Sequence, residues 1–154
     1  MLIPMKVDYG VRILVYLASF PQESIVKATE ISKKRHIPEK FLFQISNDLI
    51  DKKLIKSMRG PKGGYSLAKN ASDISVADVI ESLDKSIAPV ACLDDTESCK
   101  ISGNCAQQNM WSEVEEVLIS KLETVTIKDL ADKEKPIVDA VELKNKWNLL
   151  NFVT

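Results

Sequence analysis

Three cysteines stand close together in the second half of the sequence, at Cys92, Cys99 and Cys105. Deprotonated thiols are soft ligands, and cysteine is the usual anchor of iron–sulfur clusters. The C-x6-C-x5-C spacing differs from the paired spacing and the four chain ligands of structural zinc sites. An odd number of cysteines also argues against a disulfide framework. The spacing therefore favours an iron–sulfur cluster, and it leaves open a zinc site or free redox-active thiols.

The first half of the chain holds a second group of candidate residues, because it is strongly basic. Residues 1–72 contain 13 Lys+Arg against 6 Asp+Glu, whereas residues 73–154 contain 8 against 16. A basic surface attracts the phosphates of DNA, although charge alone does not separate a DNA-binding face from a solvated one. The candidates for phosphate contact are Lys33, Lys34, Arg35 and Lys62.

These cations must be positioned by helices, and apolar residues at helical spacing predict three helices in the first half of the chain. They are expected at about 7–18, 27–34 and 38–52, with Pro38 as the first residue of the third helix and Phe41 on its apolar stripe. Two short helices joined by a tight break form a helix-turn-helix, whose second helix contacts base edges in the major groove. The candidates for base contact are Glu39, Lys40, Phe43 and Gln44.

A strand–turn–strand pattern follows the third helix directly. Apolar residues at 54–58 and 65–67 flank a turn that contains three glycines and a proline. A hairpin at this position is the wing of a winged helix-turn-helix, with Arg59 at a tip suited to a narrow minor groove. Gly63 and Gly64 would let the backbone approach phosphates closely, or serve the geometry of the turn alone.

The second half is predicted to hold a sensor loop and the contacts of a dimer. Ser75 and Asp78 form a capping-box pattern that opens a fourth helix, and Thr126 begins a short capped helix. Between them we expect an irregular loop and then a helix of about 106–122. A long apolar-faced helix outside a compact domain needs a partner, so we expect a homodimer rather than a helix folded back on its own domain. The apolar stripe of that helix is Trp111, Val114, Leu118 and Leu122.

Together these elements predict a mainly α fold with a small β-hairpin wing, a winged helix-turn-helix followed by a long dimerisation helix. The expected divisions are a DNA-binding domain at 1–85, a cysteine sensor loop at 86–105, a dimerisation helix with a short following helix at 106–135, and a C-terminal tail at 136–154.

Several function classes are disfavoured by what the sequence lacks. It has no apolar run long enough to cross a membrane and no secretory leader, so we expect a cytoplasmic protein without a membrane partner. It has no P-loop, dinucleotide fingerprint or metal-hydrolase motif. Its single histidine, His36, lies inside the helix-turn-helix pattern, far from the cysteines that would need a base in a thiol enzyme. We therefore expect a protein that is not an enzyme.

The wing segment SMRGPKGGYSL at 57–67 resembles the signature of the IscR/NsrR/RirA-type regulators, the Rrf-two family. The likeness extends to the segment DYGVR at 8–12, to the three-cysteine loop and to residues 126–130. It implies a homodimer that binds palindromic double-stranded operator DNA and has no small-molecule substrate. In many members the three cysteines hold an iron–sulfur cluster.

The resemblance also implies what the cluster would do. Operator affinity would be set by its response to nitric oxide, redox state or iron–sulfur supply, in a regulator that is by default a repressor. The alternative is the same fold without a cluster, responding through free thiols, a small molecule or a protein partner.

The fourth ligand of such a cluster is also suggested by the resemblance. Some members use a histidine three residues after the last cysteine, where this chain has Gln108. Others, which sense nitric oxide, use an aspartate of the first helix from the opposite subunit, where this chain has Asp8. Three thiolates and one carboxylate favour [4Fe–4S] over [2Fe–2S], although both take the same number of ligands. The alternative role for Asp8 is a negative charge at the positive end of a helix.

Overall fold

The computed structural model of the protein describes residues 3–84 and 86–134. The predicted tail at 136–154, like the last residue of the predicted dimerisation region, lies outside the described residues. The helices are α1 (Met5–Ala18), α2 (Ala28–Arg35), α3 (Glu39–Asp51), α4 (Val76–Leu83), α5 (Ala91–Asp94), α6 (Ala106–Glu123) and α7 (Ile127–Lys133). Strands β1 (Ile55–Met58) and β2 (Gly64–Leu67) form one antiparallel hairpin. This mainly helical architecture with a single hairpin confirms the predicted fold class.

The core is a set of aliphatic side chains contributed by α1–α4, the hairpin and α7. Burying each such side chain contributes roughly 1.5–3 kcal/mol, so these residues hold the helix-turn-helix together. Ile127 brings α7 into the same core, and its backbone N–H donates to the Ile74 carbonyl at 2.8 Å. The fully buried members are Val7, Ile13, Leu14, Ile31, Ile37, Leu42, Ile45, Leu49, Ile55, Ile74, Val79 and Ile127.

The tight break between α2 and α3 has a local cause. His36 ends α2 in the left-handed conformation, with φ of +52°, and Ile37 donates its N–H to the Ser32 carbonyl at 3.0 Å. Pro38 lies at the N-cap of α3 rather than in its first turn, so the predicted start was one residue early. Its carbonyl accepts the N–H of Leu42 at 3.0 Å, which begins the helical hydrogen bonding.

Capping boxes fix the beginnings of two helices. Ser75 and Asp78 cap α4 as predicted, and Thr126 and Asp129 cap α7 with the same reciprocal hydrogen bonds. The backbone N–H of Thr126 donates to Asp129 at 2.9 Å, which lowers the pKa of this carboxyl below its ordinary value. These local signals positioned both helices correctly from sequence.

Phe41 does not lie on the buried side of α3, contrary to expectation. It is 51% exposed, and its ring packs against Tyr9 of α1 at a centroid distance of 6.4 Å. The buried stripe is narrower than predicted, since it follows Leu42, Ile45 and Leu49. Residue 41 precedes that stripe by one position, a rotation of about 100° around the helix.

The described helices include none that is both long and apolar enough to cross a membrane.

Candidate functional site

The outward face of α3 brings the four predicted base-contacting residues together. Glu39, Lys40, Phe43 and Gln44 are all exposed, whereas the opposite side of the helix is buried in the core. Lys40 and Gln44 present donors and acceptors of the kind that pair with base edges. The side chains that could contact DNA therefore lie on a helix whose other side is anchored in the core.

The wing is pinned to the rest of the domain through its second strand. Tyr65 exchanges two backbone hydrogen bonds of 2.9 Å with Val26, in the connector before α2. A Cβ added to Gly64 would lie 2.2 Å from the Val26 carbonyl oxygen, so this close approach requires glycine. Gly63 is likewise required by the turn, since an added Cβ would lie 2.3 Å from the Met58 carbonyl oxygen, so both glycines have a structural role in the wing. Arg59 and Lys62 are exposed at the tip.

Two of the predicted phosphate contacts on α2 are exposed and the third is not. Lys33 and Lys34 face solvent. Arg35 is only 8% exposed, since it lies one helical turn after the buried Ile31 and shares its face. Its guanidinium pairs with Glu134, with Nη2 to Oε2 at 2.6 Å, and lies 4.6 Å from the centre of the Tyr16 ring. The prediction that Arg35 contacts phosphate is therefore corrected.

Tyr16 joins this ion pair to the start of α2. Its hydroxyl donates to Glu30 Oε1 at 2.9 Å. Burial raises the pKa of Tyr16, and the hydrogen bond to Glu30 raises it further. Sequence inspection gave no indication of this cluster, because Glu134 lies 99 residues beyond Arg35.

The first turns of α1, which include Asp8, contact α3, the second helix of the helix-turn-helix. Asp8 is partly exposed and pairs with Arg12 at 2.6 Å. Two residues earlier, Lys6 Nζ lies 2.7 Å from Asp48 on α3, and one residue later Tyr9 packs on Phe41. A displacement of this part of α1 would therefore act directly on α3.

The three cysteines lie outside the core. Cys92 is in α5, Cys99 follows a short 3-10 turn and Cys105 is the N-cap of α6, so the predicted irregular loop contains some helix. All three thiols are partly exposed and free of disulfides. In the part of the chain that the structure describes, no three His, Cys, Asp or Glu side chains are grouped as a metal site. Asp8 and the thiols are thus not brought together within one chain.

Gln108 has a structural role beside the last cysteine. Its Oε1 accepts the Gly103 N–H at 2.7 Å and its Nε2 donates to Ser102 Oγ at 3.2 Å. The side chain therefore holds the turn that leads into Cys105.

The apolar residues of α6 divide between two faces. Leu122 packs against the core of this chain, and Trp111 and Leu118 are partly buried. Leu122 thus lies against this chain's own core, while the pairing of the predicted stripe with a second copy stays a prediction. A second stripe has no cover among the described residues: Met110 is 47%, Val114 40% and Val117 71% exposed.

Known proteins resemble this chain over most of its length. The model of the Rrf2 family, described as an iron-dependent transcriptional regulator, matches residues 3–133. Protein rrf2 of Nitratidesulfovibrio vulgaris is 34% identical over 122 residues, which cover 79% of this chain and 81% of that protein. The HTH-type transcriptional regulator IscR of Serratia proteamaculans is 31% identical over 140 residues, which cover 91% of this chain and 85% of that protein.

Solved structures also share the fold. The structure of CymR (YrzC), the global cysteine regulator of B. subtilis, is similar with a TM-score of 0.73 and 28% sequence identity. The match covers 88% of this chain and 99% of CymR. These proteins are named as regulators and not as enzymes.

Proposed function

The chain belongs to the Rrf2 family of transcriptional regulators, and from this membership we propose a homodimer that binds a palindromic operator with an affinity set by an iron–sulfur cluster. The observation that supports DNA reading most strongly is the exposed polar face of α3 beside the wing. Repression is the mode of regulation that we propose.

Each DNA contact follows from the position of the side chain. With α3 in the major groove, its outward residues Glu39, Lys40, Phe43 and Gln44 meet base edges. Arg59 enters the minor groove beside the wing, where the potential is most negative. The backbone phosphates are contacted by Lys33, Lys34, Lys62 and the N–H groups of Gly63 and Gly64.

The uncovered stripe of α6 supports the dimer. Met110, Val114 and Val117 follow each other at spacings of four and three residues, so they form one continuous apolar line. Pairing this line with its copy in a second chain would remove it from water and make the same contacts on both subunits.

Val117→Glu is expected to weaken dimerisation by about 100-fold, because two like charges would face each other in an apolar contact. The molecular mass measured by sedimentation or light scattering over a dilution series should fall to that of a monomer. Met58→Glu is the matched control, since Met58 is 52% exposed and lies on the wing. A Val117→Glu protein as dimeric as Met58→Glu would contradict this interface.

The cysteine loop supplies the donor chemistry of a cluster site. Cys92, Cys99 and Cys105 are soft ligands on one short segment, and none is buried or bonded. Cys105 stands at the N-terminus of α6, where the helix dipole favours a negatively charged ligand. We assign the fourth ligand to Asp8 of the opposite subunit and favour [4Fe–4S] over [2Fe–2S]. When bound, the cluster would supply iron that reacts with nitric oxide or oxidants.

Coupling from the loop to DNA would run through α1. If Asp8 is held by the partner's loop, Lys6 and Tyr9 in the same helical turn keep α3 in its DNA-binding position through Asp48 and Phe41. Release of Asp8 would then change the placement of the two recognition helices in the dimer.

A second candidate is a switch made of the thiols alone. It is favoured by three partly exposed free thiols that, within the described part of one chain, are not grouped as a metal site. In this case Cys92, Cys99 and Cys105 would respond by oxidation, and the same α1–α3 contact would pass the change to the DNA-binding face.

Iron analysis of protein purified without oxygen distinguishes these candidates. We expect about four irons and equivalent sulfide per chain, and loss of both in Cys99→Ala. Ser98→Ala is the matched control, as the neighbouring exposed residue, and should keep the metal. Asp8→Ala should alter the visible spectrum and the affinity for an operator selected from random duplexes. Colourless, iron-free protein that still selects an operator would reject the cluster and favour the thiol switch.

A further inference from the structure

Phe43 is an aromatic side chain on the face of α3 that otherwise presents polar groups. It is 49% exposed, although phenylalanine is a residue that cores readily accept. None of the ring pairs among the described residues includes it, whereas the similarly exposed Phe41 packs on Tyr9. The Phe43 ring therefore lies in water on the outward face of α3.

The neighbours of Phe43 show what it can and cannot recognise. Lys40 precedes it by one turn, Gln44 follows it, and Asn47 comes one turn later, all of them exposed. These side chains can hydrogen-bond to base edges, whereas a benzyl ring offers neither a donor nor an acceptor of ordinary strength. A polar base edge opposite the ring would lose its water without gaining a partner, which costs affinity.

The major groove exposes one apolar group, the C5-methyl of thymine. We propose that Phe43 reads the methyl group of one thymine in each operator half-site, which rests on the proposed binding of α3 in the major groove. The thymine is thereby specified by an apolar contact, while Lys40 and Gln44 specify neighbouring base pairs through hydrogen bonds. Operators with cytosine or a purine at this place are bound more weakly.

Deoxyuridine tests the contact without changing any hydrogen-bonding group, because it differs from thymidine only by the methyl. The operator is first recovered by selection from random duplexes with the wild-type dimer. Each thymine is then replaced by deoxyuridine in turn, and affinity is measured by fluorescence anisotropy. One position per half-site should lose about fourfold in affinity, and replacement in both half-sites about 15-fold, as expected for a single buried methyl group.

Substitution of the ring assigns the loss to Phe43. Phe43→Ala should bind the thymine and deoxyuridine operators equally well at that position, and its circular dichroism should match the wild type because the side chain is outside the core. Phe41→Ala is the matched control, with similar exposure on another face of the same helix, and its loss of the Tyr9 contact should lower the affinity for both operators alike. It should retain the wild-type ratio of thymine to deoxyuridine affinity.

The possible failures are distinguishable. If no deoxyuridine replacement lowers the affinity of the wild type, or if Phe43→Ala keeps the discrimination, the methyl contact is rejected while the regulator remains. If the wild-type protein enriches no sequence at all, the proposed operator binding fails, and this inference fails with it.

Discussion

Gly64→Ala is expected to lower the free energy of unfolding by about 3 kcal/mol and to displace the wing. The new Cβ would lie 2.2 Å from the carbonyl oxygen of Val26 and 2.6 Å from its carbonyl carbon. Both are backbone atoms, so no side-chain rotation relieves the clash. Overpacking of this kind costs about 1–3 kcal/mol, and the loss of the two hydrogen bonds between Val26 and Tyr65 adds to it.

Gly60→Ala is the matched control for this substitution, because it lies in the same wing but in open space. No described atom lies within 4 Å of an added Cβ at Gly60, although φ is +107°. The expected cost is therefore backbone strain of about 1 kcal/mol. Denaturant unfolding monitored by circular dichroism measures both values. A Gly64→Ala protein no less stable than Gly60→Ala would show that the contact with Val26 does not constrain the wing.

The same two variants separate stability from DNA binding. Gly64→Ala moves β2 away from the connector, so Arg59 loses its fixed place relative to α3, whereas Gly60→Ala changes the tip alone. At a temperature where both proteins are folded, we expect the larger loss of operator affinity in Gly64→Ala. This result would show that the close packing of Gly64 on Val26 is needed to position the wing for DNA binding.

Local signals made much of the fold predictable. Ser75 and Thr126 each precede an aspartate by three residues, and the resulting capping boxes depend on that short segment alone. Pro38 similarly separates α2 from α3 wherever the rest of the chain lies. The exposed polar face of α3 was predictable for the same reason, because once α3 is a helix, Lys40 and Gln44 must lie on one side of it.

Long-range contacts explain what the sequence did not reveal. Arg35 follows two exposed lysines, and although it shares the helical face of Ile31, the partners that bury its charge are the distant Glu134 and Tyr16. Phe41 is exposed because Tyr9 covers only part of its ring. The faces of α6 could not be assigned to their partners, since helical spacing shows which residues share a face but not what lies against it.

These long-range contacts also join the two halves of the molecule. The α7 helix follows α6, and it packs on α1 through the core that includes Ile127. Just beyond α7, Glu134 contacts the last residue of α2. The segment that follows the proposed dimer helix is therefore fastened to the helix-turn-helix by both apolar packing and an ion pair.

Glu134→Gln is expected to lower the free energy of unfolding by about 2 kcal/mol. Removing one partner of a buried ion pair leaves an uncompensated charge, which costs about 3–5 kcal/mol when both groups are fully buried. Arg35 is 8% exposed but Glu134 is 31% exposed, so solvent reduces the cost. Among the described residues, the Nε of Arg35 already has no hydrogen-bond partner, and the guanidinium would keep the Tyr16 ring and one neutral acceptor, the amide oxygen of the glutamine.

Asp132→Asn provides the comparison for this ion pair. Asp132 pairs with Lys128 one turn away on the same helix, and both side chains are more than half exposed. Such a pair contributes about 0.3–0.5 kcal/mol, so unfolding of Asp132→Asn in denaturant should be nearly that of the wild type. Equal destabilisation by Glu134→Gln and Asp132→Asn would mean that solvent screens Arg35 despite its burial.

The double variant Arg35→Met with Glu134→Gln separates charge burial from packing. Methionine fills much of the space over Tyr16 without bringing a charge into the interior, so the double variant should be more stable than Glu134→Gln alone. If the double variant instead loses as much stability as the Arg35→Met and Glu134→Gln variants together, the aliphatic and ring contacts of Arg35 would dominate. The first result would show that Arg35, unlike the exposed Lys33 and Lys34, has a charge that the fold itself must neutralise.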